Sequence, residues 1–176
     1  MSWRSLLGWA CGAIIALSLG GCGFQPLYGS KGEAGSDAVA HMASIRIGLI
    51  SDRVGQQLRN ALQDKLTPRG KPKNPLYRLD VSLEETRSDL VILQDATSTF
   101  AKLRMGARYV LNDIATGRPL TRGKSESTTI FNIVESEFAN RNAQSDARAR
   151  AVGQISDDIR LRLGLFFRRN TSNRGS

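Results

Sequence analysis

The chain has 176 residues, which suits one domain of modest core size. It carries 25 Lys and Arg against 16 Asp and Glu, a net charge of +9 that points to an anionic partner. The single histidine, His41, and the lack of His, Cys, Asp and Glu at ligand spacing argue against a catalytic triad, a metal site or any cofactor.

The first 21 residues have the pattern of a secretory signal. Arg4 precedes an apolar run, residues 6–19, which is shorter than the roughly 20 apolar residues of a membrane-spanning helix. The run ends in Leu-Gly-Gly-Cys, which resembles the bacterial lipobox. That resemblance implies cleavage between Gly21 and Cys22 and a diacylglycerol on the Cys22 thiol. An ordinary signal with an incidental cysteine, or an uncleaved anchor, is the alternative.

A lipobox has consequences for location and for the charge. Stable anchoring takes more than one acyl chain, and a lipidated Cys22 would tether all that follows to a membrane surface. Gly23 rather than Asp after the cysteine favours the outer membrane, with the domain facing the periplasm. An exported, tethered chain is expected to meet an anionic lipid, glycan or protein, and no nucleic acid.

The residues after the cysteine carry a family resemblance. Cys22 begins the string Cys-Gly-Phe-Gln-Pro-Leu-Tyr-Gly, which closely resembles the mature N-terminus of the LptE family of lipopolysaccharide (LPS)-assembly lipoproteins in its alphaproteobacterial forms. Residues 22–42 are interpreted as the lipidated N-terminus and a linker, of which residues 30–37 are Gly/Ser-rich and predicted to be flexible. Residues 43–167 are predicted to form an LptE-like domain, and residues 168–176 a flexible tail.

The domain opens with a strand and a helix. Residues 43–50 alternate, with Ile45, Ile47 and Leu49 on one face, which predicts a half-buried strand. Apolar residues then recur at helical spacing from about residue 52 until Thr67-Pro68 ends the helix.

Three further strands follow. Residues 76–87 alternate, and Ser88-Asp89 suggests a turn after them. Residues 97–112 and 120–132 form the arms of a predicted hairpin, whose turn spans residues 113–117 with glycine last. A register that places Asn112 opposite Arg122 also places Leu103 opposite Phe131 and Arg108 opposite Glu126, so it pairs apolar residues with each other and opposite charges with each other.

A long helix over about residues 137–166 completes the domain. Its apolar stripe consists of Ala147, Ala151, Val152, Ile155, Ile159, Leu163 and Phe166. The order β-α-β-β-β-α predicts an α+β fold, a two-layer α/β sandwich with two helices on one face of a four-stranded mixed sheet. The LptE family is known for this arrangement.

Basic residues concentrate on one predicted face of the sheet. Lys102, Arg104 and Arg108 are separated by even numbers of residues and alternate with core residues, so they share the sheet face that points away from the helices. Arg122 and Lys124 on the next strand would join them. A solubilising polar face is one interpretation. The other is a contact for LPS, whose lipid A phosphates suit Arg and Lys, or for a barrel partner.

The resemblance implies an outer-membrane lipoprotein that assists LPS assembly without catalysis. It would act with the LptD outer-membrane barrel, both as a plug and as an LPS-binding partner. The alternative is a generic envelope lipoprotein that binds peptidoglycan or a transport complex. A periplasmic hydrolase is a third and remote hypothesis, because the adjacent carboxylates at 84–85 and 157–158 diverge within each pair.

Overall fold

The computed structural model describes residues 33–91 and 99–172. The elements in chain order are α1 (Glu33–Ala43), β1 (Ile45–Ile47), α2 (Asp52–Leu66), β2 (Tyr77–Val91), β3 (Thr99–Asp113), β4 (Pro119–Ile133) and α3 (Glu137–Ser172). The strands form one sheet in the order β1-β2-β3-β4, with β1 parallel to β2 and the other pairs antiparallel. The predicted α+β sandwich with a four-stranded mixed sheet is confirmed.

The described part of the chain has a third helix that the sequence analysis did not predict. Residues 33–37, which we expected to belong to a flexible linker, lie in α1. This helix packs on α3, where the sulfur of Met42 would lie 3.7 Å from a Cβ at Gly164. Ala38 is buried in the same core. The linker prediction was wrong there because docking on α3, rather than local composition, makes the segment helical.

The first strand is much shorter than predicted. It covers only Ile45–Ile47, and Leu49, assigned to the apolar face, is 88% exposed. Ile50 turns into the core instead and lies against the start of α2. A Cβ at Gly55 would approach Ile50 Cγ2 to 2.7 Å, so this contact depends on the bare glycine backbone.

The second strand is longer than predicted. Ser88 and Asp89 pair with Lys102 and Ala101 in β3, so the expected turn there is wrong and the pairing continues to Val91. β2 and β3 have 15 residues each and pair along their whole length, from Tyr77 opposite Asp113 to Val91 opposite Thr99. The predicted start of the third strand, at residues 97 and 98, lies outside the described residues.

The hairpin between β3 and β4 has its turn where expected, with Gly117 at φ 67°. Its register, however, differs from the predicted one by two residues: Arg108 faces Lys124, and Leu103 faces Thr129. The register shifts once more between Leu111 and Asn112, so that Asn112 pairs with Pro119 and not with the predicted Arg122. Because side chains alternate with a period of two, a two-residue shift leaves every side chain on its predicted face.

The last helix continues to Ser172, so the tail predicted from residue 168 is helical for its described part, and residues 173–176 lie outside the described residues. Its predicted stripe is buried except Phe166, which is half-buried beside the buried Phe167. Small residues let α3 approach β4: the Thr129 hydroxyl donates to the Ala147 carbonyl at 3.3 Å. Within the described residues no helix is long and apolar enough to span a membrane.

Candidate ligand-binding face of the sheet

All five predicted basic residues lie on the sheet face turned away from the helices. The alternate residues of β3, from Ala101 to Leu111, are buried under the helix layer. Lys102, Arg104 and Arg108 therefore project from the opposite face. In β4 the inward positions are Ser125, Ser127, Thr129 and Phe131, so Arg122 and Lys124 lie on the outer face together with the three basic residues of β3.

The five residues do not form one cluster. Lys102 pairs across the sheet with Ile130, whereas Arg122 pairs with Val110, eight positions further along β3. At a rise of about 3.4 Å per residue these two rows lie roughly 27 Å apart. A single small anionic group therefore contacts one part of the face and not the whole predicted set.

The middle of the outer face is charge-balanced. Arg108 donates to Glu84 at 2.7 Å, and Lys124 lies directly opposite Arg108. One row further, Gly106 stands between Glu84 and Glu126. Two cations and two carboxylates thus occupy neighbouring rows, which we call the charge-balanced belt. Its positive charge is largely compensated within the protein.

The far end of the same face is different. Arg104 lies between Thr86 and Thr128, and Lys102 lies between Ser88 and Ile130. No carboxylate stands opposite either cation, and neither forms an ion pair with a described residue. Arg122, which faces Val110, forms no ion pair with a described residue either, but it lies alone at the other end of the face; Lys102 and Arg104 are the two neighbouring cations of the predicted set whose charge is available to a ligand.

Exposed apolar side chains adjoin the two cations. Ile130 is 55% exposed beside Lys102 and Leu90 is 39% exposed, while Phe100 pairs with Leu90 in the next row. We call the surface made by the two cations, their hydroxyl neighbours and these apolar residues the cationic end of the sheet. The apolar members were missed because we considered only the charges. Phe100 and Ile130 are separated from the basic residues of their own strands by even numbers of residues, and this spacing could have placed them on the same face.

A second group of charges serves packing rather than binding. Arg148 of α3 holds Glu85 through bonds of 2.7 to 3.0 Å, which raise the pKa of the arginine. Arg87 bonds Gln144 and lies 5.6 Å over the Phe131 ring. Glu85 and Arg87 project on the helix side of β2, where they fasten α3 to the extended strand.

The one histidine has a structural position. His41 is in the last turn of α1, not in a linker; its Nδ1 lies 2.9 Å from the Tyr77 hydroxyl, and its ring stacks on Phe167 at 5.3 Å. Within residues 33–91 and 99–172, no group of His, Cys, Asp and Glu could hold a metal ion. The predicted cleavage and lipidation positions, Gly21 and Cys22, lie outside the described residues.

A sequence profile of the lipopolysaccharide-assembly family LptE matches residues 42–163, which is well over half of the chain. The chain belongs to the LptE family. Lipoproteins of the outer membrane that take part in LPS assembly make up this non-enzymatic family, and a signal peptide and lipid anchor are typical of it. A comparison with curated protein sequences finds no match.

Solved structures share the fold. A lipoprotein from Caulobacter crescentus CB15 is similar at 21% identity and a TM-score of 0.63, over 75% of this chain and 96% of that one. A minor lipoprotein from Acinetobacter baumannii is similar at 13% identity and a TM-score of 0.52, over 69% of this chain and 90% of that one. At these sequence identities the solved structures show only that the fold is shared. Membership of the LptE family rests on the match to the family profile.

Proposed function

We propose that this LptE-family chain is anchored in the outer membrane through Cys22, faces the periplasm, and binds LPS during its assembly without catalysing a reaction. Family membership supports the general role. The observation that carries the binding proposal is the pair of uncompensated cations, Lys102 and Arg104, beside exposed apolar residues at one end of the sheet.

The chemistry of this end fits a phosphorylated amphiphile. The planar guanidinium of Arg104 can hold a phosphate through two hydrogen bonds, and the Lys102 ammonium adds a flexible point charge. The hydroxyls of Thr86 and Thr128 on either side of Arg104 can also donate to phosphate oxygens. Ile130 offers apolar surface next to the charges, where the start of an acyl chain would lose contact with water.

Paired variants on one sheet face test this assignment. We expect Lys102→Gln with Arg104→Gln to weaken binding of phosphorylated LPS by roughly tenfold or more, since each lost charge-assisted bond is worth about 1.5–3 kcal/mol. The measurement is LPS binding by the purified chain at several salt concentrations, because exposed electrostatic contacts weaken as salt rises.

The matched control removes the same charge from the same face. Arg108→Gln with Arg122→Gln changes one cation held by Glu84 and one about 27 Å from Lys102 along the strand direction. Its LPS affinity should stay within about twofold of the parent, because Arg108 is already paired with Glu84 and Arg122 lies too far from Lys102 to contact the same phosphate. Equal losses in both double variants would assign the effect to net charge and contradict a site at the cationic end.

We further propose that the LptD barrel is the protein partner. Barrel lumens are polar, and the charge-balanced belt of Arg108, Glu84, Lys124 and Glu126 presents a polar, nearly neutral surface that suits such a lumen. Affinity purification from detergent-solubilised outer membrane should recover the barrel with this chain. Recovery of cell-wall fragments instead would favour the generic envelope lipoprotein.

A further inference from the structure

The C-terminal part of α3 exposes a surface that the LPS proposal does not use. Between Ile159 and Ser172 the chain has four arginines and no acidic residue. Leu161 is 48% exposed and Leu165 is 41% exposed in the same segment. The last acidic residues before it are both engaged: Asp157 with Lys65 of α2, and Asp158 with Arg162.

Helical spacing places these side chains in one strip. Leu161, Leu165 and Arg168 are separated by four and three residues, so they follow one another along one line of the helix surface. Arg162 and Arg169 lie to one side of this line, and Arg160 lies to the other side. We call these six residues the leucine-arginine strip. It faces away from the buried stripe of α3, which includes Ile159 and Leu163.

We propose that the leucine-arginine strip rests on the surface of an anionic phospholipid bilayer. An amphipathic helix that places leucines between arginines lies in the interface plane of a membrane, with the leucines at the headgroup boundary. Each arginine near an anionic surface contributes about 1 kcal/mol of attraction. The positive charge of the strip thus favours an anionic bilayer as the partner, and the leucines supply apolar contact with it.

The segment between Cys22 and α1 is short enough to keep the domain near a membrane to which Cys22 is anchored. Only ten residues lie between Cys22 and Glu33, where α1 begins. Fully extended, this segment spans at most about 40 Å, so acylation at Cys22 would hold the domain within that distance of the bilayer. In this respect the inference rests on the proposed anchor, although the strip itself does not depend on LPS binding.

A protein partner fits the strip less well. Protein interfaces have buried cores enriched in Tyr, Trp and Phe as well as in Met and Arg, and each partner covers about 800 Å². The strip has no aromatic residue, and arginines surround its two leucines. Guanidinium groups at a membrane surface can bind phosphates while they remain in water, whereas a dry protein contact would have to desolvate them.

The test uses the chain from residue 22 onward with Cys22→Ser, so that no acyl chain contributes. Binding is measured by co-sedimentation with vesicles of phosphatidylcholine alone, and of phosphatidylcholine mixed equally with phosphatidylglycerol, without LPS. We expect binding to the mixed vesicles only, weakening as salt rises. Arg168→Gln with Arg169→Gln should lower the partition coefficient roughly tenfold or more. Leu161→Gln with Leu165→Gln should lower it while the salt dependence persists.

The matched control is Arg141→Gln with Arg122→Gln, which removes two arginines from outside the strip. Arg141 pairs with Glu137 near the start of the same helix, and Arg122 is exposed on the outer face of the sheet. Its binding should stay close to that of the parent. Thermal melts confirm that each variant is folded. Absence of binding to the anionic vesicles, or equal losses in the control and strip variants, would overturn the proposal; loss of LPS binding elsewhere would not affect it.

Discussion

At the residue scale, a glycine in β4 leaves the space that a tyrosine ring of β3 occupies. Gly123 lies opposite Tyr109, and a Cβ at Gly123 would be 2.5 Å from the Tyr109 hydroxyl oxygen. The tyrosine is buried, and burial raises its pKa. We expect Gly123→Ala to destabilise the fold by about 1–3 kcal/mol, because the ring must leave its position. Gly106→Ala is the control, since its Cβ would meet only Glu126 Cγ at 4.0 Å. Thermal unfolding of both proteins measures the difference, and equal melting temperatures would contradict it.

For the basic residues, the sequence predicted the face of the sheet but not the partner of each charge. Strand alternation placed Lys102, Arg104 and Arg108 on the outer face correctly, because side-chain direction is a local property of a strand. Alternation carries no information about which charges meet across strands. A two-residue change of register brought Lys124 rather than Glu126 opposite Arg108, and Glu84 from β2 pairs with that arginine instead. The separation of compensated from available cations therefore required the structure.

At the element scale, the long helix holds the two layers together. Ile155 is completely buried in the stripe of α3, as its spacing predicted. Ile155→Asp should leave the chain largely unfolded, because an unpaired buried carboxylate costs several kcal/mol, a large part of a typical folding free energy of about 5–15 kcal/mol. Asp158→Ala on the exposed side is the control and removes one pair with Arg162, worth about 0.3–0.5 kcal/mol. Circular dichroism melts test this, and an unchanged melt for Ile155→Asp would refute the burial.

Elements with strong internal periodicity were predictable, and elements formed by packing were not. α2 and α3 carry long apolar stripes, so both appeared near their observed positions. Among the side chains of α1 whose burial is described, from residue 37 onward, only Ala38 belongs to the buried core, with Met42 half-buried. The sequence of α1 also contains Gly35 and Ser36, which weaken a helical pattern. Its helicity is explained by the His41–Phe167 stack and by contact with α3, neither of which adjacent residues reveal.

At the scale of the whole molecule, the sandwich separates two proposed contacts onto opposite layers. The cationic end occupies the outer sheet face, and the leucine-arginine strip occupies the outward side of the helix layer. Changes at distant sites with no shared partners usually add independently. Lys102→Gln with Arg104→Gln should therefore weaken LPS binding and leave sedimentation with anionic vesicles unchanged, whereas Leu161→Gln with Leu165→Gln should do the reverse.

Both assays on the quadruple variant complete this prediction. Its LPS affinity should equal that of the sheet-face double variant, and its vesicle partition should equal that of the helix-face double variant, each within about twofold, because independent effects add to within about 0.3–0.5 kcal/mol. If the helix-face change alone weakened LPS binding as much as the sheet-face change, the two layers would contact one ligand. LPS would then also bind the helix side, and the assignment of separate faces would be wrong.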